Sequence, residues 1–323
     1  MITPRLCAAA YELGEHAEPV GELPELLAAP DTAAALTSPA AGFVTYRWSE
    51  APVVELMAAC VQRCLAKARI PGSEIDTVLL VTDSLPHDRT AHRDVAELLA
   101  ETGMTGATVA TVGMMDCATA MVAVGTAASL VRDGTARHVM VVSGDLADLS
   151  TGGDRVVAGG AAIASDGAAC VLVSAEAPGL PVLAMAHHAA AGQEHGGTAP
   201  RQQLLSRITA YRELFARLSA RHPVRPAETV VLPSNFARDV MRMYLTDVGF
   251  DSERIALDGV GRVAHCQGSD PLINLADRLG EPKPADATEQ EPQALVLLGA
   301  GISHLAAVLV GAHPLPAHKG GSS

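Results

Sequence analysis

The sequence predicts a duplicated α/β protein, and three observations carry that expectation. Apolar runs of strand length alternate with segments of helical periodicity along the chain. The order strand-helix-strand-helix-strand-strand occurs twice, with the divide near residue 175, so residues 1–175 and 176–323 read as two similar halves. The composition suits closely packed layers: of 323 residues 49% are hydrophobic, only 3% are aromatic and 18% are charged.

The elements follow in order. Apolar spacing predicts a helix over 50–68, ending before Ile70, Pro71 and Gly72. Residues 76–82 form a continuous apolar run, hence a buried strand. A helix is expected over 92–102 and a strand over 107–112. The Ala-rich stretch 117–132 reads as a helix closed by Asp133 and Gly134. Strands follow at 138–143 and 169–174. The second half repeats this order: strand 180–186, helix 201–221, strand 229–232, helix 235–248, a short strand near Ile255, a helix near 271–279, and strands 294–298 and 305–310. The Pro-rich polar stretch 281–292 reads as an exposed loop and 317–323 as a frayed tail.

Several function classes drop out. A net charge of −13 opposes a nucleic-acid surface. No Gly-x-Gly-x-x-Gly follows an early strand and no P-loop signature occurs; Gly299 and Gly301 come too late for a dinucleotide fold. The apolar runs are too short to span a bilayer. The N-terminus has no charged segment followed by a long apolar one, so no signal peptide and a reducing cytoplasm are expected. The six cysteines (7, 60, 64, 117, 170 and 266) form no C-x-x-C pair, and Cys60 and Cys64 read as core filler. The row Arg201, Arg207, Arg212, Arg217, Arg221 and Arg225 is either a solvated helix face or a basic patch for an acidic carrier protein.

Chemistry is expected at Cys117. A cysteine at the first turn of a long apolar helix meets unpaired N–H groups and the positive end of the helix dipole, which favour thiolate over thiol. On this segment alone, a nucleophile and a small core residue stay open as readings.

The run from Asp116 through Cys117 to Asp145 resembles the active-site region of ketoacyl-ACP synthase III enzymes. Ser165-Asp-Gly-Ala resembles that family's Gly-Asp-Gly-Ala segment. Leu232-Pro-Ser-Asn-Phe-Ala-Arg resembles its Pro-His-Gln-Ala-Asn block, and Leu298-Gly-Ala-Gly its closing Gly-rich loop. The matches keep family order from about 50 to 310. The resemblance implies the thiolase fold: an α-β-α-β-α layering of two halves with mixed five-stranded sheets. It also implies a homodimer, an acyl-carrier-protein or CoA thioester as donor, and no permanently bound cofactor.

The departures shape the expected chemistry. Ser234 fills the family's catalytic His position, and the family's catalytic Asn falls near His265. The pair that holds an enolate in condensing enzymes is thus missing. Instead His265 precedes Asp270 by five residues, which resembles a divergent branch with a Cys-His-Asp site that moves acyl groups onto oxygen or nitrogen in specialised, polyketide-type metabolism. The roles implied are Cys117 as nucleophile, His265 as base, Asp270 as its orienter, and the amides of Cys117 and Gly301 as oxyanion hole. Asp270, followed by Pro271, reads equally as a helix N-cap. Ser234 and Asn235 are candidate substrate-binding residues, Asn235 a helix cap as well. His304 reads as structural, and His187, His188 and His195 border a candidate channel set by loops 84–92 and 186–212. A metal held by Cys117, His265 and Cys266 is disfavoured, because adjacent strand residues point apart. Trp48 lies too late to match the family's CoA-stacking Trp. The expected activity is acyl transfer to a hydroxyl or amine. Decarboxylative carbon–carbon condensation and an idle partner subunit of a heterodimer are the alternatives.

Overall fold

The computed structural model describes residues 2–86, 90–189, 200–280 and 291–316. The expectations for His195, for most of the 281–292 loop and for the 317–323 tail lie outside the described residues. The first half runs β1 (Arg5–Leu13), α1 (Val53–Ala68), β2 (Thr77–Val81), α2 (Thr90–Thr102), β3 (Thr108–Thr111), α3 (Thr119–Asp133), β4 (His138–Asp145) and β5 (Gly167–Ser174). The second runs β6 (Leu180–Ala189), α4 (Pro200–Arg221), β7 (Thr229–Pro233), α5 (Arg238–Asp247), α6 (Asp270–Gly280), β8 (Ala294–Ala300) and β9 (His304–Gly311). Among the described residues these nine strands form one sheet in the order β7-β8-β9-β6-β1-β5-β4-β2-β3.

The pairings show the duplication. In the first half β1 is antiparallel to β5, β5 antiparallel to β4, and β2 parallel to both β4 and β3. In the second, β6 is antiparallel to β9, β9 antiparallel to β8, and β7 parallel to β8. The halves meet through a short antiparallel contact, Arg5 with Pro181 and Leu6 with Leu180. The counterpart of β3 is a single parallel bridge between Val231 and Ile255, so the second sheet has four strands where five were expected. Ile255 sits between a 3-10 turn at Ser252–Arg254 and a helix at Gly259–Val263, which leaves no length for a strand.

Strand periodicity sorts the core into layers. Val139, Val141, Ala169, Val171, Leu295, Leu297, Ala306 and Val308 face the central layer, where α3 and α6 lie between the two half-sheets. Met140, Val142, Cys170 and Leu172 face α1, which contributes Met57, Cys60 and Cys64. Val296, Leu298, Ala307 and Leu309 face α4 and α5. The small residues of α3 let it approach closely: a Cβ on Gly125 would collide with the sulfur of Met185.

β1 was not foreseen. Its Leu-Cys-Ala-Ala-Ala core lacks β-branched residues and is covered on both faces, so neither propensity nor alternation marks it. Among the described residues its second edge has no strand partner beyond Leu6, and two cations of α1 cover it: Lys67 Nζ donates to the Ala9 carbonyl and Arg63 Nη1 to that of Tyr11, each at 3.0 Å. Between β1 and α1 the chain makes an excursion in which His16–Pro19 pairs with Thr45–Trp48.

Behind this excursion lies a buried ion pair. Asp166 accepts Arg155 Nη1 at 3.1 Å and the amides of Ala147 and Ser49 at 2.9 and 3.0 Å. Asp166 is 2% and Arg155 7% exposed. Removing one partner of such a pair strands the other, so Asp166→Ala is expected to lower the unfolding free energy by about 3–5 kcal/mol, read by urea denaturation.

Several arginines of the row 201–225 have partners. Arg212 pairs with Asp247 at 2.6 Å, Arg217 donates to the His187 carbonyl at 3.1 Å, Arg221 to the Met185 carbonyl, and Arg225 to Glu228 at 3.3 Å. Arg207 donates to the Gly301 and Ile302 carbonyls at 3.4 Å. Arg207, Arg217 and Arg221 thus tie α4 to the sheet and its β8–β9 loop. No helix among the described residues is long and apolar enough to cross a membrane.

Candidate active site

The Cys117 segment joins β3 to α3. Cys117 lies in a 3-10 turn, Asp116–Ala118, two residues ahead of the α-helix. Thr119 ties the turn together: its hydroxyl donates to the Asp116 carbonyl at 2.8 Å and accepts the Met115 amide at 3.3 Å. Cys117 is half-buried, close to the positive end of α3.

His265 is carried by an extended segment docked on residues 163–165. Its amide donates to the Ile163 carbonyl at 2.9 Å, and its carbonyl accepts the Ser165 amide at 2.8 Å. The ring lies between the other two members of the expected triad. Nε2 is 3.2 Å from Cys117 Sγ, and Nδ1 is 2.5 Å from Asp270 Oδ2. Phe236 packs edge-on to the imidazole at 5.0 Å. His265 is 1% and Asp270 0% exposed. Burial acts to lower the imidazole pKa, but the adjacent Asp270 carboxylate and Cys117 sulfur outweigh it and push it up to about 10. The ring faces a sulfur on one side and a carboxylate on the other.

Asp270 makes contacts away from its own helix. It is the first residue of α6, and its carboxylate points back rather than onto its own helix. Oδ1 accepts the Cys266 amide at 2.7 Å and Asn235 Nδ2 at 3.3 Å; Oδ2 accepts the Asn235 amide at 2.7 Å as well as the imidazole. Asn235 is held in turn by Asn274, whose side-chain amide donates to Asn235 Oδ1 at 3.1 Å and to the Pro233 carbonyl at 2.8 Å. Asn274 had no marker in the sequence beyond being polar inside Leu-Ile-Asn-Leu.

Three expectations are corrected. Ser234 and Asn235 are fully buried and act as internal scaffold rather than substrate contacts. The Ser234 hydroxyl accepts the Ala300 amide at 2.9 Å, and Asn235 braces Asp270 instead of starting α5, which begins at Arg238. The Gly301 amide donates to the His304 carbonyl at 2.8 Å, so it is not free to hold an oxyanion. The glycines of this loop serve close approach: a Cβ on Gly299 would stand 2.7 Å from the Cys117 carbonyl oxygen, and one on Gly301 would collide with Asp116.

Strain concentrates here. Of the six non-glycine residues with positive φ among the described residues, Met114 and Asp116 lie close to Cys117, and Ala264 and Gln267 lie close to His265. Such backbone persists where the surroundings over-determine it, as at functional sites. The remaining candidates sit elsewhere or serve the frame. His188 pairs with Glu213 at 3.2 Å, and His187 lies exposed near the end of β6. His304 faces Asp116 at 3.6 Å. Trp48 stacks on His16 at 4.0 Å and donates to Glu18 at 2.8 Å. The Cys266 thiol is buried, which pushes its pKa well above the usual range.

Comparison with known proteins agrees with this architecture. Residues 114–191 match the family model of 3-oxoacyl-[acyl-carrier-protein (ACP)] synthase III. No curated protein matches the sequence. Among solved structures, cerulenin-bound OleA from Xanthomonas campestris is 17% identical with a TM-score of 0.75, over 96% of this chain and 98% of that one. The 3-oxoacyl-(acyl carrier protein) synthase III FabH from Pseudomonas aeruginosa matches with the same identity, TM-score and coverage. A variant of OleA reaches a TM-score of 0.76 at 15% identity, again over 96% and 98% of the two chains. The chain is thus a thiolase-fold protein, synthase-III-like over the segment that carries Cys117.

Proposed function

We propose that this protein is an acyltransferase working through a Cys117 acyl-enzyme. The observation that carries the reading is the continuous contact from Cys117 Sγ through His265 to a buried, fully hydrogen-bonded Asp270. The Cys117 thiol proton goes to His265, whose charged form the adjacent Asp270 carboxylate favours. The thiolate attacks the carbonyl of an acyl-carrier-protein or CoA thioester, and the Cys117 amide supports the developing oxyanion. His265 gives its proton to the departing thiol. Acylation removes the sulfur's negative charge, one of the two that hold the proton on His265, so the ring is left as a better base. It then takes the proton of a hydroxyl or amine, which attacks the acyl-enzyme, and collapse regenerates the thiolate–imidazolium pair. Asp270 fixes the ring and balances its charge throughout.

The likeness of residues 114–191 to 3-oxoacyl synthase III favours a second reading, decarboxylative condensation. Against it stands Ser234, whose hydroxyl is engaged by the Ala300 amide and supplies no second imidazole. A homodimer fits β3, whose outer edge carries no strand among the described residues. The two reactions separate on labelled malonyl thioester offered with a panel of hydroxyl and amine acceptors. Malonyl transfer without carbon dioxide release is expected; stoichiometric carbon dioxide with a carbon–carbon product would replace transfer by condensation.

A further inference from the structure

Asp116 stands beside the nucleophile, and neither its charge nor its contacts have a part in the relay above. Its φ of 49° is left-handed, so other contacts must hold it there. Its Oδ2 accepts the Ser303 amide at 3.0 Å and faces His304 Nδ1 at 3.6 Å. Its carbonyl is bound by Thr119 at 2.8 Å. The loop it grips is fixed from behind, because Arg207 donates to the Gly301 and Ile302 carbonyls and the Gly301 amide closes onto His304. Gly301 packs so closely on Asp116 that a side chain would not fit between them. The Cα of Cys117 follows directly, so rotation at Asp116 would swing the sulfur away from His265, 3.2 Å distant.

We propose that Asp116 is a positioning residue: by holding the Ser303 amide beside the His304 ring, its carboxylate sets where the Cys117 sulfur stands relative to His265. This rests on the reading of Cys117 and His265 as a thiolate–imidazolium pair. The grip runs from Arg207 through the β8–β9 loop to Asp116, and a misplacement of about 1 Å at such a contact can cost about 10²-fold in rate.

The test is the pH profile of Cys117 alkylation by iodoacetamide, followed by peptide mass mapping, which needs no knowledge of the acyl substrate. Asp116→Gly removes the carboxylate and relieves the left-handed backbone, so folding is not threatened; Asp116→Asn keeps an oxygen for the Ser303 amide and tolerates the same backbone. The wild type should show a reactive plateau well below the ordinary thiol range. Asp116→Gly should lose the plateau and react at least tenfold more slowly at pH 6, with thermal stability unchanged within a few degrees, and Asp116→Asn should recover most of it. A Gly variant that keeps the plateau overturns the role of Asp116 while leaving the pair intact. A wild type without the plateau overturns the pair, and the inference with it.

Discussion

Asp270→Ala is expected to cost both stability and activity, because the carboxylate is the single acceptor for several donors in a site closed to water. Its removal leaves the Cys266 amide, the Asn235 amide, Asn235 Nδ2 and the His265 ring without their partner. Each buried unsatisfied donor costs about 1–3 kcal/mol, so relaxation included, a loss of roughly 3–6 kcal/mol in unfolding free energy is expected. Asp270→Asn keeps one acceptor oxygen and should lose less stability, yet it lacks the charge that balances the imidazolium, and transfer should fall at least ~10²-fold. The pH dependence has a definite sign. The His265 pKa rises from 6.5 to about 10 on folding, so the stability it contributes is fully present below pH 6.5 and is lost as pH rises through about 10. The stability gap between wild type and Asp270→Asn should therefore narrow over that window, measured by urea denaturation at several pH values. A gap that widens with pH contradicts the charged-pair account.

His265→Ala gives the second large effect, and it divides between the two half-reactions. Loss of a positioned base costs about 10²- to 10⁴-fold, and the second step carries that loss in full, since among the described residues it is His265 that meets the sulfur. The first step also slows, because the imidazole 3.2 Å from Sγ is no longer there to take the thiol proton. Donor and thiol remain, so some self-acylation persists, rising with pH as the thiol ionises unaided. Single-turnover measurement of acylation and of transfer should thus show a steeper loss in transfer and the disappearance of the low-pH arm of acylation. Equal losses in both steps, with an unchanged pH profile, would contradict the base assignment.

The legible part of the molecule was the part with strong local signals. Strands buried on both faces but rich in Val and Leu, such as β2, β4 and β8, stand out as uniform apolar runs. The Ala-rich α3 ends where Asp133 and Gly134 stop it, with Gly134 at φ 83°. β1 escaped because its burial comes from alanines, which do not favour a strand, although it joins the two halves. Cys117, His265 and Asp270 were visible as residue types in family-like places, yet whether Asp270 was a cap or an orienter depended on carboxylate direction, which only the fold specifies. The same holds for Ser234 and Gly301: a motif position predicts a role, but their hydrogen bonds to Ala300 and His304 are long-range pairings with no local trace. Asn274 illustrates the converse, since a polar side chain inside an apolar helix face becomes meaningful only once Asn235 is seen beside it.

Intact-mass spectrometry tests the central claim most directly. The wild type and Cys117→Ala are each incubated with a panel of acyl-CoA and acyl-carrier-protein thioesters. The account predicts a gain of one acyl mass on the wild type, labile to hydroxylamine, with no gain on the variant. An unmodified wild type across the whole panel, or equal acylation of Cys117→Ala, would contradict Cys117 as the acyl-bearing nucleophile.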